Sequence, residues 1–405
     1  MIEKSRVAVI GGGLVGATAA IALARLGFVV TLVDRQRPSL ATGDLGVDIR
    51  NVALSPASRD LLDDQGIWSG VMTAPYQHMV VWEQWGSGQL EFHATDVGRD
   101  ELGWLVEMSP LLVSAWQRID DTANLEVRVA DIADIVVADD EVTLCFADGS
   151  TPQFDFLIAA DGAQSIARRA LELAVEVSPT HQVALATVVR TEQPHRHTAW
   201  QRFLTDGPLA SLPSPDEHVC SIVWSQSPEM AQRRLDMDDD NFCRDLGYAL
   251  EHRLGEVLAV DKRMAFPLTQ QRVKNCAPHP RVLLIGDAMR VVHPLAGQGV
   301  NLGLEDVTHM LAVAAKQSNL AVPGIWQRYA RQRQVRARLM IQTMAALQKI
   351  YASNNPAVSL LRNFGVQSFN ALDGIKRQVM REAMGLGPMS GASDDDKSDS
   401  KNDDK

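Results

Sequence analysis

The segment RVAVIGGGLVGATAAIALARLGFVVTLVD, residues 6–34, constrains the fold of this chain more than any other stretch. Its apolar run at Val7–Ile10 predicts a short buried strand, Ala17–Leu26 predicts a helix, and Phe28–Val33 predicts a second strand. A glycine-rich turn lies between the first strand and the helix. This order of elements predicts a Rossmann-like α/β unit at the start of the chain.

Three glycines and one acid in this segment predict a dinucleotide site. Gly11 allows a tight turn, Gly13 lets the backbone approach a pyrophosphate, and Gly16 lets the helix pack closely on the strand. Asp34 ends the second strand, where a carboxylate can accept hydrogen bonds from a ribose. A lone G-x-G-x-x-G also fits an ordinary glycine turn, and the pattern by itself does not separate NAD from FAD.

Length and composition limit the class of protein. With 405 residues, 46% of them hydrophobic, the chain is long enough for two domains with sizeable cores. The net charge of -11 argues against a nucleic-acid partner, because phosphates require a basic face. The four cysteines lack metal-ligand spacing, so we expect reduced thiols and no metal site. No stretch is apolar for the length of a membrane span, which predicts a cytoplasmic protein, either soluble or peripherally bound.

Two later stretches each carry an acid after a predicted strand. FDFLIAADGAQSIAR contains Asp161 and Gly162, and LLIGDAMRVVHPLAGQGVNLGLED contains Gly286 and Asp287. The second stretch continues with residues that keep side chains away from a flat ring, followed by a helix predicted to begin near Asn301 and to direct its N-terminus at negative charge. The residues of this ring floor are Pro294, Gly297 and Gly299. The predicted buried stripe of the helix is Leu304, Val307, Leu311 and Ala314.

With GGGLVG, ADGAQS and GDAMRVVHPLAGQGVNLGLED in this order, the chain resembles the flavin-dependent aromatic hydroxylases, the class A monooxygenases typified by para-hydroxybenzoate hydroxylase. The resemblance implies FAD as the cofactor, with Asp287 at the ribityl hydroxyls. It implies NAD(P)H as a transient co-substrate whose contacts lie near Asp161 and Gly162. It also implies ring hydroxylation by a flavin C4a-hydroperoxide formed with O2. This chemistry requires no side-chain nucleophile, and we assign no catalytic residue.

Further stretches resemble the hydroxylases of ubiquinone biosynthesis, and the likeness extends to about Gly387. These stretches are Asp48–Trp68, Leu102–Met108, Trp200–Pro213 and Ser221–Ser225. The resemblance implies a lipophilic, polyprenylated phenol or quinol as the substrate. It also places Arg50 near the flavin, with a solvated helix arginine as the alternative.

The chain departs from that family at two motifs. It has Gly-Asp-Ala-Met-Arg where the family commonly has Gly-Asp-Ala-Ala-His, and it has Met108 where the family commonly has asparagine. Met289 is an apolar replacement. Arg290 introduces a fixed positive charge near the cofactor, where it would bind phosphate or an anionic substrate, or would face solvent.

The elements predict an α/β (α+β) fold, with a Rossmann-like FAD domain, an inserted β-sheet substrate domain and C-terminal helices. Residues 1–75, 98–175 and 276–324 are assigned to the FAD domain, 76–97 and 176–275 to the substrate domain, 325–387 to the helices, and 388–405 to a disordered acidic tail. Alternating apolar residues in the insert predict a sheet with one covered face. We expect the substrate between this sheet and the flavin.

Residues 325–387 contain ten basic and two acidic residues, in contrast to the acidic whole. Arginines there alternate with apolar residues, which predicts either the solvated face of a packed helix or a surface for an anionic membrane or a biosynthetic complex. These arginines are Arg328, Arg331, Arg333, Arg336 and Arg338.

The sequence therefore predicts an FAD- and NAD(P)H-dependent hydroxylase of a prenylated ubiquinone precursor. Two alternatives stay open: a flavin-dependent hydroxylase or oxidase of another aromatic compound, and a binding or assembly protein that keeps the fold without catalysis.

Overall fold

The computed structural model describes residues 4–84, 88–292, 298–351 and 372–387. The helices in these ranges are α1 (Leu14–Arg25), α2 (Pro56–Asp64), α3 (Met108–Asp120), α4 (Ile166–Ala170), α5 (Pro228–Asp236), α6 (Asp239–Ala249), α7 (Gln298–Ala314), α8 (Gln327–Tyr351) and α9 (Asp373–Ala383). The strands are β1 (Arg6–Ile10), β2 (Val29–Asp34), β3 (Asn51–Leu54), β4 (Thr73–Tyr76), β5 (His78–Glu83), β6 (Gln89–His93), β7 (Gly103–Glu107), β8 (Leu125–Val129), β9 (Ile132–Val137), β10 (Val142–Phe146), β11 (Gln153–Phe154), β12 (Phe156–Ala159), β13 (Val175–Thr191), β14 (Thr198–Leu204), β15 (Gly207–Pro213), β16 (Val219–Gln226), β17 (Val257–Val260), β18 (Met264–Val273), β19 (Val282–Leu284) and β20 (Arg290–Val291).

A five-stranded parallel sheet has the order β19-β12-β1-β2-β8. Apart from the edge strand β8, its strands are mainly apolar, as expected where helices cover a sheet: α1 is buried along almost its whole length and contacts both α3 and α7. The predicted first strand, helix and second strand are present, with the helix beginning at Leu14 rather than Ala17. The mixed α/β fold class is confirmed.

A nine-stranded mixed sheet forms a second layer, in the order β20-β18-β13-β16-β15-β14-β5-β6, with β17 paired to β13. One face packs on α6, through contacts of Leu185 and Trp224 with Phe242. The sequence predicted a single covered face. The structure also covers part of the other face, because the segment before β3 lies on it: Val188 packs on Val47, and Ser221 Oγ donates to Asn51 Oδ1 over 2.8 Å.

Two smaller sheets complete the fold, β11-β10-β9 and β3-β7-β4. β3 is preceded by the segment that packs on Val188 of the large sheet, and it is followed by α2. The short strand β20 is an edge of the large sheet, although its residues lie in the segment predicted for the FAD domain.

The C-terminal helices are packed more closely than the sequence suggested. Arg333 and Arg336 are buried and pair with Glu305 of α7. The prediction that these two arginines lie on a basic outer surface is therefore wrong, because α8 turns them toward α7. Within the described ranges, no helix is long and apolar enough to cross a membrane. The predicted acidic tail, 388–405, lies outside the described residues.

Candidate active site

Three turns lie together at one edge of the parallel sheet. They follow β1, β12 and β19, which are neighbours, and the carboxyl ends of parallel neighbours meet at the same edge. Backbone hydrogen bonds hold the three strand ends in register: Ala160 N–H donates to Ile10 O over 2.8 Å, and Ile285 N–H donates to Ala159 O over 2.9 Å. The structure thus brings together Gly11, Asp161, Gly162, Gly286 and Asp287, which come from the three predicted motifs.

The glycines at this edge serve two different purposes. A Cβ on Gly16 would lie 1.9 Å from Gly11 O, and a Cβ on Gly11, which has a φ of +97°, would lie 2.4 Å from Ala160 O. These two positions therefore require glycine for packing and backbone conformation. By contrast, beyond the adjoining chain no described heavy atom lies within 4 Å of a Cβ on Gly13, Gly162 or Gly299, although Gly162, with a φ of +78°, also needs glycine for its backbone. Open space at these positions suits a ligand that approaches the backbone.

Asp34 lies beside the glycine turn. Its Oδ2 accepts the Gly12 N–H, and Trp116 Nε1 of α3 donates to Gly12 O over 2.8 Å. The carboxylate is therefore held at the end of β2 and directed at the turn. Its contact with a ribose stays a prediction.

Asp161 shapes the turn after β12. Its Oδ2 accepts the backbone N–H of Ile166 over 2.6 Å and of Ala167 over 3.2 Å, at the start of α4. Its Oδ1 is buried and has no hydrogen-bond partner among the described residues. An unsatisfied buried carboxylate oxygen is costly, and a donor from a bound ligand would satisfy it.

Asp287 lies in the turn after β19, and part of its surface is exposed. Surrounding protein desolvates its carboxyl and raises the pKa; nearby Asp306 also raises it, while Arg290 and Arg168 oppose the change. A carboxyl with a raised pKa is suited to hydrogen bonding with neutral hydroxyls. This environment is consistent with the predicted contact between Asp287 and the ribityl hydroxyls, which stays a prediction.

Asn301 ties α7 to β3 and α2. Its Nδ2 donates to Ala53 O over 2.8 Å, while its Oδ1 accepts from Ser55 N–H over 2.9 Å and from Ser58 Oγ over 2.7 Å. The helix begins at Gln298, three residues before the predicted start, so Asn301 lies within its first turn. The protein itself satisfies this side chain. The predicted ring-floor residues Pro294 and Gly297 lie outside the described residues.

Arg50 precedes β3 and is exposed, with its Nε 3.7 Å from Asp48 Oδ1. It is not in a helix, but it is solvated, as the alternative expected, and its place near the flavin stays a prediction. Its carbonyl accepts the N–H of Met108, one of the residues that depart from the family pattern. Desolvation raises the pKa of the neighbouring Glu107 carboxyl; the hydrogen bond from the Asp48 N–H opposes this rise, and the Asp48 carboxylate adds to it.

Arg290 contradicts both expectations from the sequence. Its side chain neither faces solvent nor lies free to bind an anion: it is 2% exposed and its Nη1 donates to Asp306 Oδ2 over 2.7 Å. The adjacent Met289 is buried in the core, as an apolar residue can be. Arg290 faces inward because Asp306, sixteen residues later in sequence, presents a carboxylate there.

Sequence reasoning missed Arg168 and Asp306. Arg168 donates to the carbonyls of Ala163 and Ala288, so it connects the turn after β12 to the turn after β19. Asp306 accepts the Gly286 N–H over 2.9 Å. Both residues lie inside motifs that had already been singled out, but only the fold reveals their partners.

Sequence similarity to known proteins identifies the family of this chain. The family model described as FAD binding domain matches residues 4–344. A 3-demethoxyubiquinol 3-hydroxylase of Escherichia coli is 30% identical over 392 residues, which cover 95% of this chain and 99% of that protein. The chain belongs to the ubiquinone-biosynthesis family of FAD-dependent hydroxylases.

Two further relatives of this hydroxylase agree. A ubiquinone hydroxylase of Rhodospirillum rubrum is 30% identical over 94% of the chain and 90% of its own length. A mitochondrial ubiquinone biosynthesis monooxygenase of Homo sapiens is 29% identical over 92% of the chain and 91% of its own length.

Solved structures share the fold of the hydroxylase. The p-nitrophenol 4-monooxygenase of Pseudomonas putida superposes with a TM-score of 0.76 at 18% identity, covering 95% of this chain and 98% of that one. Klebsiella pneumoniae HpxO complexed with FAD and uric acid gives a TM-score of 0.70 at 17% identity, covering 95% and 97%. The open space at Gly13 and Gly162 and the unsatisfied Asp161 Oδ1 fit FAD as the cofactor of this enzyme.

Proposed function

We propose that this enzyme hydroxylates the aromatic ring of a polyprenylated phenol or quinol precursor of ubiquinone, with NAD(P)H as transient co-substrate and O2 as the second substrate. Bound FAD supplies the oxygen-activating chemistry. The protein binds and orients both substrates and excludes water from the reacting centre. The substrates named for the relatives support this assignment, together with the apolar surface of the large sheet.

The sheet face toward the cofactor segments carries a row of small and apolar side chains. The strand register places Met264 opposite Ala186, Ala186 opposite Val223, and Val223 opposite Ala210. Directly paired residues project to the same face of a sheet. This is also the face on which Val188 contacts Val47. A lipophilic molecule lying between the sheet and the cofactor would contact this row.

The observation that carries the proposal is the exposure of two large apolar side chains on that face. Met264 is 49% exposed and Phe266 is 43% exposed, on adjacent same-face positions of β18. Exposed apolar side chains that continue a partly covered apolar surface are typical of ligand-binding grooves. We assign Met264 and Phe266 to the prenyl tail of the substrate.

We propose that separate segments of the chain hold the cofactor and the substrate, with the bounds of the predicted domains. The segments 1–75, 98–175 and 276–324 hold FAD, through Gly11, Gly13, Gly16, Asp34 and the later turns, while 76–97 and 176–275 hold the substrate. NAD(P)H is proposed to approach near Asp161 and Gly162. β20, from a segment proposed to hold FAD, pairs with β18 of the large sheet, so we propose that this segment also contributes to the substrate layer.

The test compares a prenylated phenol with the same phenol lacking its tail. In Met264→Gln/Phe266→Gln, we expect kcat/KM for the prenylated compound to fall roughly tenfold relative to the tail-less one, because apolar contact is lost. Both positions are exposed, so folding should be preserved. The matched control is Leu258→Gln, which changes a 60% exposed leucine on β17. Equal tail preference in all three proteins would contradict the assignment.

We also propose that the enzyme is cytoplasmic and peripheral on an anionic membrane, where a prenylated substrate resides. The exposed side of α8 presents Arg331, Arg338, Val335 and Leu339. Ile375 and Val379 of α9 are also exposed, as is Leu372 just before that helix. Basic residues with apolar neighbours on one side of a helix are the composition of interfacial helices.

Sedimentation with vesicles tests the membrane proposal. The protein should sediment with vesicles rich in phosphatidylglycerol, and a much smaller fraction of it should sediment with pure phosphatidylcholine vesicles. Val335→Gln/Leu339→Gln should weaken sedimentation, whereas Leu258→Gln should not. Equal recovery in the supernatant with both vesicle types would contradict a membrane surface and favour a soluble biosynthetic complex.

A further inference from the structure

One buried carboxylate joins four parts of the enzyme. Asp306 of α7 is fully buried. Its Oδ2 accepts the Gly286 N–H over 2.9 Å and Arg290 Nη1 over 2.7 Å. Its Oδ1 accepts Arg333 Nε over 2.6 Å. The cluster of Asp306, Arg290 and Arg333 is hereafter the buried triad.

Each partner of Asp306 belongs to a different functional element. Gly286 begins the turn that carries Asp287. Arg290 lies on β20, where its backbone pairs with Arg272 on the edge of the large sheet. Arg333 lies on α8 and also contacts Glu305. The triad therefore links the cofactor turn, the substrate sheet, the helix that faces the cofactor and the C-terminal helix.

The triad is not explained by stability. Arg290 is 2% exposed and Arg333 is 1% exposed, so three charges are removed from water. Buried ion pairs of this kind often add less stability than apolar residues of the same volume. Arg290 also keeps two buried nitrogens, Nε and Nη2, that lack partners among the described residues. An arrangement with this energetic cost is retained more readily where it fixes geometry that function needs.

The charge state of Asp306 supports a geometric role. Burial by itself would raise the pKa of its carboxyl, but Arg290 and Arg333 more than offset this and hold the pKa below its usual range. Asp306 is therefore ionised, and a carboxylate accepts a stronger hydrogen bond from the Gly286 N–H than a neutral acid would. The turn that carries Asp287 is fixed from behind by this bond.

We propose that Asp306 and Arg290 are positioning residues for FAD. Asp306 fixes the Gly286 N–H and with it the direction of Asp287, and Arg290 holds the shared Oδ2 in place while attaching the turn to the substrate sheet. The inference rests on the proposed function only in placing Asp287 at the cofactor, and it is independent of which aromatic substrate is hydroxylated.

The test is to titrate the apoprotein with FAD and to monitor binding by the quenching of flavin fluorescence. The Tm of each apoprotein is measured in parallel. Arg290→Met should raise the Kd for FAD roughly tenfold, as substitutions behind a ligand-holding group commonly do. It should also change the visible circular dichroism of the bound flavin. Arg290→Lys, which keeps the charge, should recover part of the affinity.

The matched control is Arg234→Met. Arg234 is also a buried arginine with a carboxylate partner, Asp245, at 2.7 Å, but it lies on α5 beside the large sheet. It should lower the Tm while changing the Kd by less than about twofold. Equal loss of affinity in both methionine variants would overturn the proposal, as would wild-type affinity and spectrum in Arg290→Met. If Arg290→Met does not fold, the FAD affinity and the flavin circular dichroism of Arg290→Lys decide: a Kd and spectrum equal to those of wild type would overturn the proposal.

A double-mutant cycle separates positioning from general destabilisation. Asp287→Ala should itself weaken FAD binding. Because Arg290 acts through Asp287, adding Arg290→Met should weaken it little further. Additive losses would show that Arg290 acts elsewhere. A wild-type protein that binds no FAD would instead overturn the placement of the cofactor at these turns.

Discussion

The guanidinium of Arg168 donates a hydrogen bond to the carbonyl of Ala288 over 3.2 Å, and this contact joins the turn after β12 to the turn after β19. The same side chain donates to Ala163 O within its own turn. Arg168 is buried, and desolvation lowers the pKa of its guanidinium, against the opposing effect of Asp161 and Asp287. It therefore fixes the distance between the two acids that face the proposed cofactor.

Arg168→Met is expected to destabilise the apoprotein by about 2 kcal/mol, because buried carbonyls lose charged donors. It should also raise the Kd for FAD, since the two turns are no longer held together. Urea unfolding and flavin fluorescence measure the two effects. The neighbouring Arg169→Met is the control, because Arg169 is exposed. Similar behaviour of the two variants would show that Arg168 does not hold the turns.

The two classes of glycine predict opposite outcomes. Gly16→Ala should destabilise the apoprotein, because its Cβ would overlap Gly11 O. Gly13→Ala should leave the apoprotein stable, since Gly13 has a φ of -64° and open space around it, yet it should weaken FAD binding by filling that space. Thermal unfolding and FAD titration distinguish the two. A Gly13→Ala protein with unchanged FAD affinity would argue against pyrophosphate at this turn.

Asp287 should destabilise the apoprotein near neutral pH. Its folded pKa lies above the ordinary value of 3.8, so the folded state holds the proton more tightly than the unfolded chain. Stability linked to this group is therefore present at acidic pH and is lost as pH rises through the raised pKa. We expect Asp287→Asn to have a higher apoprotein Tm than wild type near pH 7, with the difference vanishing in acid, and to bind FAD more weakly. A constant Tm difference at all pH values would contradict this ionisation.

The hydrogen bonds of Asn301 predict a graded loss of stability. Asn301→Ala removes the partners of Ala53 O and Ser55 N–H and should cost roughly 3 kcal/mol. Ser58→Ala removes two hydrogen bonds, the one that Ser58 Oγ donates to Asn301 Oδ1 and the one that it accepts from Ser55 Oγ, and should cost about 1–2 kcal/mol. Chemical denaturation measures both. Equal effects would show that Asn301 does not hold α7 against β3.

Local patterns predicted the elements, and distant contacts decided their roles. The strand, glycine turn and helix at residues 6–34 could be read from sequence because their geometry depends on neighbours within a few turns. The partner of Arg290 could not be read from sequence, because no residue near Arg290 in the chain indicates that its side chain contacts Asp306. For the same reason Arg333 and Arg336 looked like surface charges until α8 was seen against α7.

The measurement that tests the account most directly is NAD(P)H oxidation by the FAD-loaded enzyme with a short-tailed prenylphenol, under isotopically labelled O2. We predict that the prenylphenol stimulates oxidation and that the product gains one labelled oxygen atom on its ring. Bound FAD with no stimulation by prenylphenols, but with labelled product from an aromatic compound that has no prenyl tail, would contradict the proposed substrate.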